Sequence, residues 1–235
     1  MAALQDRHWW YRGRRMLVDQ LLSQHLSVAG TPARLLEIGA GTGSNLQVLS
    51  AHGSVTAVEP APYAAACIES AHPDVAAVRQ FWPDASSSVG QFDAILLLDV
   101  LEHIDDDRAA LRAVVPHLAP GGIAIISVPA YQSLWSEHDE LLWHKRRYSR
   151  RGLRELIRSA ELDIVELSGF NWMLFGVAWI ARRLTLRFAT GDNLPPTFLN
   201  AALAFVLRLE VMGMRFGIRP AFGLSIVSVV RRNTP

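Results

Sequence analysis

The stretch that most constrains this chain is Leu35-Leu36-Glu37-Ile38-Gly39-Ala40-Gly41-Thr42-Gly43-Ser44-Asn45. It reads as a short buried strand, a glycine-rich turn and the start of a helix. Gly39, Gly41 and Gly43 remove side chains where the backbone turns sharply and where a flat ligand must come close. The first N–H groups of the following helix have no internal partner, so the turn offers donors at the carboxyl edge of a parallel sheet. The dinucleotide fingerprint places glycine at the first, third and sixth positions. Here the sixth position is Ser44, and the third glycine arrives one residue early, at Gly43. That spacing argues against a nicotinamide cofactor.

The chain around this turn supplies context. Ser54–Val58 reads as a second strand ending at Glu59 and Pro60. An acid there accepts from both hydroxyls of a ribose, and Glu59 follows Gly41 at close to the usual ~20 residues. A helix over 62–71 and a strand over 75–78 come next. Gln80-Phe81-Trp82-Pro83 then sits at the ligand edge. Phe92–Leu98 is a near-continuous apolar run, as a strand buried on both faces requires. Asp99, Glu102 and His103 follow it, then a helix from Asp105 to about His117. Pro120-Gly121-Gly122 leads into the apolar strand Ile123–Val128. This alternation predicts an α/β fold, a parallel sheet with helices on both faces.

Two phrases carry a family likeness. E-x-G-x-G-x-G at Glu37–Gly43 resembles motif I of the class I S-adenosylmethionine (SAM)-dependent methyltransferases. FDAILLLDVLEHI at 92–104 resembles motif II and its sequel in the ubiquinone/menaquinone-type members. The resemblance covers residues 34–130 closely and 131–168 loosely. It implies a Rossmann-like seven-stranded sheet, mostly parallel with an antiparallel last strand, and SAM as cofactor. It implies Glu37, Gly39, Ala40, Gly41, Gly43 and Glu59 around the cofactor. Leu98 and Asp99 then flank the methionyl part, and Phe81 and Trp82 lie against the adenine, although the family's usual acid is missing there. His8-Trp9-Trp10-Tyr11-Arg12 resembles the lead-in of related enzymes, with Arg12 as candidate for the methionyl carboxylate. Some similar quinone O-methyltransferases bind a divalent metal, for which Asp99, Glu102 and His103 are the candidates. The bland alternative is that Glu102 and His103 only shape a turn.

Composition excludes other classes. A formal net charge of +1 gives no global drive toward nucleic acid. Cys67 is the sole cysteine, so no internal disulfide forms and a reducing, cytoplasmic setting is expected. No signal-peptide pattern opens the chain.

The segment Pro129–Tyr148 leaves the ligand edge and is dense in aromatic and titratable residues. His138, Asp139, His144 and Tyr148 are candidates for proton removal from an acceptor hydroxyl, since histidine suits neutral pH. Tyr131, Trp135, Trp143 and Arg147 are candidates for acceptor contacts. The competing reading is that these side chains merely pin the loop. Lys145 to Arg158 is a basic run whose default is a solvated helix face.

Ile164–Leu167 is read as strand six and Leu224–Val230 as strand seven. Between them lie two apolar segments, Phe170–Phe188 and Thr197–Met214, split by Gly191-Asp192-Asn193 and Pro195-Pro196. The expected division is a helical lid over 1–33, a SAM-binding domain over 34–168 and 222–235, and an apolar helical insertion over 169–221. The insertion suits a cap over a lipid-like acceptor, a peripheral contact at the inner membrane face, or a homodimer. The expected function is methyl transfer to a small-molecule or lipid-like acceptor, through oxygen. The alternative is a non-catalytic SAM-fold protein of membrane-surface or assembly type.

Overall fold

A computed structural model describes residues 5–27, 32–183 and 194–233. The strands are β1 (Ala33–Ile38), β2 (Gly53–Val58), β3 (Ala76–Val78), β4 (Phe92–Leu98), β5 (Leu118–Pro129), β6 (Leu162–Phe170) and β7 (Ser225–Arg232). They form one seven-stranded sheet in the order β3-β2-β1-β4-β5-β7-β6. Strands β1 to β5 run parallel to one another, and β7 runs antiparallel between β5 and β6. The chain thus winds outward twice from β1, and the crevice between the carboxyl ends of β1 and β4 is the switch point where such sheets bind ligands.

Period-two alternation divides the core into two layers. Leu36, Ile38, Ile95 and Leu97 face one way. They pack with Ala110 and Leu111 of α4 (Asp107–Arg112) and Leu153, Leu156 and Ile157 of α6 (Arg150–Ser159). Leu35, Leu96 and Leu98 face the other way, toward α1 (Trp9–His25), α2 (Leu46–Ser50) and α3 (Pro62–Ala71). The same layer holds Leu207, Val211 and Met214 of α8 (Thr197–Arg215). Helix α8 lies so close to α1 that a Cβ on Gly13 would sit 2.1 Å from Leu207 Cδ1. Two further short α-helices among the described residues are α5 (Glu137–Leu141) and α7 (Phe175–Arg183).

Several elements differ from the sequence reading. The helix expected to reach His117 stops at Arg112, and Val115–His117 is a separate 3-10 turn. Pro116 has no N–H to continue an α-helix. Strand β6 is nine residues rather than four, because β7 pairs with it from Leu162 to Phe170. The first apolar segment does not start as a helix. Its first residue ends β6, and α7 begins only at Phe175. Positions 184–188 and Gly191-Asp192-Asn193 lie outside the described residues, as does the beginning of the lid.

Candidate active site

The glycine turn wraps a cleft of about 310 Å³, lined by Ile38, Gly39, Val58, Glu59, Pro60, Phe81, Trp82, Asp99, Val100, His103 and Ile104. These come from the carboxyl ends of β1, β2, β3 and β4. Gly39 has φ +71°, and a Cβ there would sit 2.7 Å from Val100 Cγ2. Gly41 has φ +56°, and a Cβ there would meet nothing within 4 Å, which is the space a ligand needs. The Gly41 N–H donates to Glu59 Oε2 at 2.8 Å, and the Ala61 N–H donates to Oε1 at 2.9 Å. Each Glu59 oxygen keeps a second lone pair toward the cleft, as ribose hydroxyls require.

Glu37 lies beneath the turn, fully buried. Asn45 Nδ2 donates to its Oε1 at 2.6 Å, and Oε2 has no partner. Burial pushes the carboxyl up to about 7, with Asn45 and the Arg14 charge opposing. An unpartnered carboxylate oxygen at this depth fits a ligand's ammonium group. Asp99 closes the other wall with φ +57°, a strained conformation for a non-glycine residue. Ser127 Oγ donates to one of its oxygens at 3.1 Å, and Arg14 Nη1 to the other at 2.9 Å.

That last contact sets Arg14, rather than the expected Arg12, against a wall of the cleft. Arg12 lines a separate groove with Arg15, Met16, Asp19 and Val48. Arg14 is the arginine beside the cofactor cleft. The signal was available: Leu17, Val18, Leu21 and Leu22 set the buried side of α1, and helical spacing puts position 14 on that side and position 12 away from it. Of the aromatics expected at the adenine, Trp82 is buried, its Nε1 donating to Ala110 O at 2.8 Å. Phe81 stands 70% exposed at the rim. Ala40 and Leu98 are buried behind the turn and at the end of β4, in the α1-side core rather than on the cleft lining.

The loop after β5 is tied at its neck. Tyr131 N–H donates to Tyr148 O at 2.8 Å and Tyr148 N–H to Pro129 O at 2.9 Å. Inside it, Asp139 is 0% exposed and is the hub. Arg147 grips it with Nε at 2.7 Å and Nη2 at 2.9 Å, and the Ser136 N–H caps it at 2.9 Å. His144 Nδ1 lies 2.9 Å from Asp139 Oδ1. Burial pushes the Asp139 carboxyl up, but the bonds from His144 and Arg147 win and hold it well below its ordinary range. The His144 ring meets His103 edge-on at 4.8 Å, and so lies directly behind a residue of the cleft lining.

The other candidates of this loop have the following places and partners. Tyr148 is buried and its hydroxyl donates to Asp107 at 2.7 Å. Burial and that carboxylate push its pKa far up, so it is an anchor and not a base. Arg147 is equally buried and committed to Asp139 and to Ala130 O, so it has no reach toward an acceptor. Asp139 itself serves as cap and holder. Trp143 is 84% exposed at the end of α5. Trp135 donates to Glu140 within its own loop at 3.4 Å. His138 is half-buried on α5. Tyr131 packs edge-on against Phe175 at 5.7 Å. The basic run is also largely spoken for: Lys145 pairs with Asp105, Arg146 with Asp107 and Arg151 with Glu155.

The metal triad is regrouped as well. Glu102, His103 and His144 place ligand atoms within 4.8 Å of one another. Asp99 is not part of that set, because Arg14 and Ser127 occupy its oxygens. Glu102 is wholly buried with both oxygens unpartnered. Burial and the Asp99 charge keep its carboxyl well above the ordinary range.

Residues 9–167 match the family model described as a methyltransferase domain. The chain is 29% identical over 192 residues to the ubiquinone biosynthesis O-methyltransferase of Xanthomonas campestris pv. campestris, a match spanning 72% of this chain and 80% of that one. It is 31% identical over 139 residues to the enzyme of the same name in Xanthomonas oryzae pv. oryzae, covering 54% of this chain and 57% of that one. The chain thus spans little more than half the length of several named relatives that it matches. Among solved structures, the plantazolicin methyltransferase BamL, in complex with a triazolic desmethylPZN analog and SAH, superposes with a TM-score of 0.64 at 12% identity, over 94% of this chain and 86% of that one. An S-adenosylmethionine-dependent methyltransferase from Clostridium acetobutylicum does so with a TM-score of 0.58 at 13% identity, over 95% and 92%. At such identities the likeness is one of fold. With the glycine turn, the Glu59 cradle and the family match over 9–167, this chain belongs to the methyltransferase-domain family, in its S-adenosylmethionine-dependent class.

Proposed function

We propose that this protein transfers a methyl group from SAM to the hydroxyl of a small or lipid-like acceptor, with His144 as the base. The observation that carries the reading is the buried Asp139–His144 pair directly behind His103 of the cofactor cleft. When bound, SAM supplies a methyl group already activated on sulfonium. The residues need to align the acceptor and remove its proton. Glu59 and the glycine turn hold the ribose. Arg14 takes the methionyl carboxylate and Glu37 the ammonium. Asp139 accepts from His144 Nδ1–H, which leaves Nε2 as the free base toward the cleft. His144 Nε2 would take the hydroxyl proton as the acceptor oxygen gains the methyl group, the sulfonium S–C bond breaks and SAH leaves. The Asp139 carboxylate, itself fixed by Arg147, stabilises the imidazolium. Tyr131 and Phe175 offer an aromatic wall for the acceptor.

A divalent ion is the second reading, favoured by the Glu102, His103 and His144 cluster. One carboxylate and two imidazoles suit such a cation, and the two unpartnered Glu102 oxygens fit a ligand role. The ion would supply Lewis-acid polarisation of an acceptor oxygen.

Calorimetry with SAM, SAH and NAD tests the cofactor. Tight binding of the two sulfur ligands alone is expected, and Gly41→Val abolishes it; a preference for NAD overturns the assignment. Methyl transfer from labelled SAM to phenolic and lipid hydroxyls tests the base. His144→Gln should cut turnover by about 100-fold or more with SAM affinity unchanged. Full turnover by that variant sinks the role. Loss of turnover on chelation, restored by a divalent ion, selects the metal reading over the base.

A further inference from the structure

Helix α8 has two sides of different chemistry. Its inner side packs on α1 through Gly13 and Leu207 and pins the start of that helix. Asn200 Oδ1 accepts from the Trp9 N–H at 2.9 Å, and its Nδ2 donates to Arg7 O at 2.8 Å. Glu210, also buried, accepts from the N–H groups of Trp172 and Met173 at 3.2 and 2.8 Å. The outer side carries Phe198, Phe205, Met212 and Phe216, between 50% and 80% exposed, in one row at helical spacing. Arg208 and Arg215 are exposed along one flank of that row. Val177 and Ile180 of α7 are also more than half exposed.

We propose that this outer side of α8, together with α7, docks on an anionic phospholipid surface. Charge selects the occupant. Residues 169–221 hold six arginines, at 182, 183, 187, 208, 215 and 219, against two acids, Asp192 and Glu210, and Arg219 is already paired with Glu166 outside the segment. Glu210 is turned inward and bonded to backbone. The exposed row therefore pairs large apolar side chains with cations and carries no exposed acid among the described residues. That combination suits a headgroup layer, where rings enter the interface and guanidinium groups meet phosphate. A two-fold pair of copies is the poorer fit, since each would bring the same arginines and no acid to receive them. By length and composition α8 is the one described helix able to cross a membrane. Its inward Glu210, Asn200 and Leu207 are instead built into the fold, so it lies on the surface and does not span.

The docked side opens toward the active site. Tyr131, at the end of β5, meets Phe175 at the start of α7, and Phe175 meets Phe222 at 5.5 Å. Phe222 is 46% exposed. These ring contacts tie the proposed acceptor wall to α7, so docking of α7 places that wall near the bilayer. That last consequence rests on the acceptor reading above; the docking itself does not.

The test is sedimentation of the full chain with vesicles of phosphatidylcholine alone or with about 30% phosphatidylglycerol. Binding to the anionic vesicles and weak binding to the neutral ones is the expected result. Arg208→Glu with Arg215→Glu, and separately Phe198→Ser with Phe205→Ser, should each weaken it on the order of tenfold or more. Melting and SAM calorimetry of the same variants should match the parent, which excludes misfolding. Absence of vesicle binding, or binding untouched by both variants, overturns the proposal. A dimer in sedimentation velocity that the phenylalanine variant dissociates overturns it too, because a second copy then covers the row. Vesicle binding is read without turnover, so its failure and a failure of methyl transfer are separate results.

Discussion

Two buried carboxylates stand on either side of the site and have opposite fates. Glu37, under the glycine turn, has one amide for company and an orphaned oxygen, and burial pushes it up to about 7. Asp139, in the loop after β5, is just as buried but holds Arg147, His144 and a backbone N–H, and stays ionised well below its ordinary range. The difference is one of partners, not depth. A buried charge is costly unless paired. Asp139 is completed by its own chain, and Glu37 is not. The loop after β5 is thus self-contained, whereas the ground beneath the glycine turn keeps an unpaired oxygen.

The comparison breaks most visibly at Asp139. Asp139→Ala strands the Arg147 guanidinium in the interior and should cost about 3–5 kcal/mol by urea unfolding. A loss under 1 kcal/mol would mean the loop is not pinned there. Glu37→Gln sharpens the contrast through pH. The folded value of Glu37 lies above its unfolded one, so its contribution is present below pH 4.5 and is lost as pH rises through about 7. The wild type should therefore lose up to about 3 kcal/mol across that window relative to Glu37→Gln. SAM added at pH 8 should shrink the gap. Asp139 has the reverse sign: its stabilisation is present above 3.8 and lost as pH falls. Parallel pH profiles for wild type and Glu37→Gln would refute the account. Arg14→Ala should weaken SAM binding about tenfold, with Arg12→Ala near parent affinity. The opposite ranking would return the role to Arg12. Smallest of all, Trp143→Ala should move stability by no more than about 0.5 kcal/mol and leave turnover intact.

The cofactor side was legible because its chemistry is local. Gly39, Gly41, Gly43 and Glu59 sit at strand ends whose apolar runs announce them, and backbone geometry does the rest. The acceptor side depends on contacts remote in sequence. His144 gains its meaning from His103, and Tyr148 loses its candidacy to Asp107, 41 residues away. No spacing rule within 129–148 distinguishes a histidine held by a carboxylate from a tyrosine sealed under one. Arg14 was a nearer miss, since the phase of α1 already pointed to it. The side of α8 that faces α1 was hidden for another reason: both sides of the helix are apolar, and only Asn200, Leu207 and Glu210 reveal which one is inside.

Strand β7 sits between β5 and β6, and Asn200 ties down a residue 191 positions earlier. On a ribosome, which delivers the chain from its beginning, this order has a cost in time. Five parallel strands can assemble as they emerge, yet β6 must wait beside an open edge until residues 225–232 arrive to fill the gap. The start of α1 likewise lacks its partners Asn200 and Leu207 until α8 is made. While residues 171–232 are being made the nascent protein carries an unpaired edge, the kind of exposure that chaperones recognise.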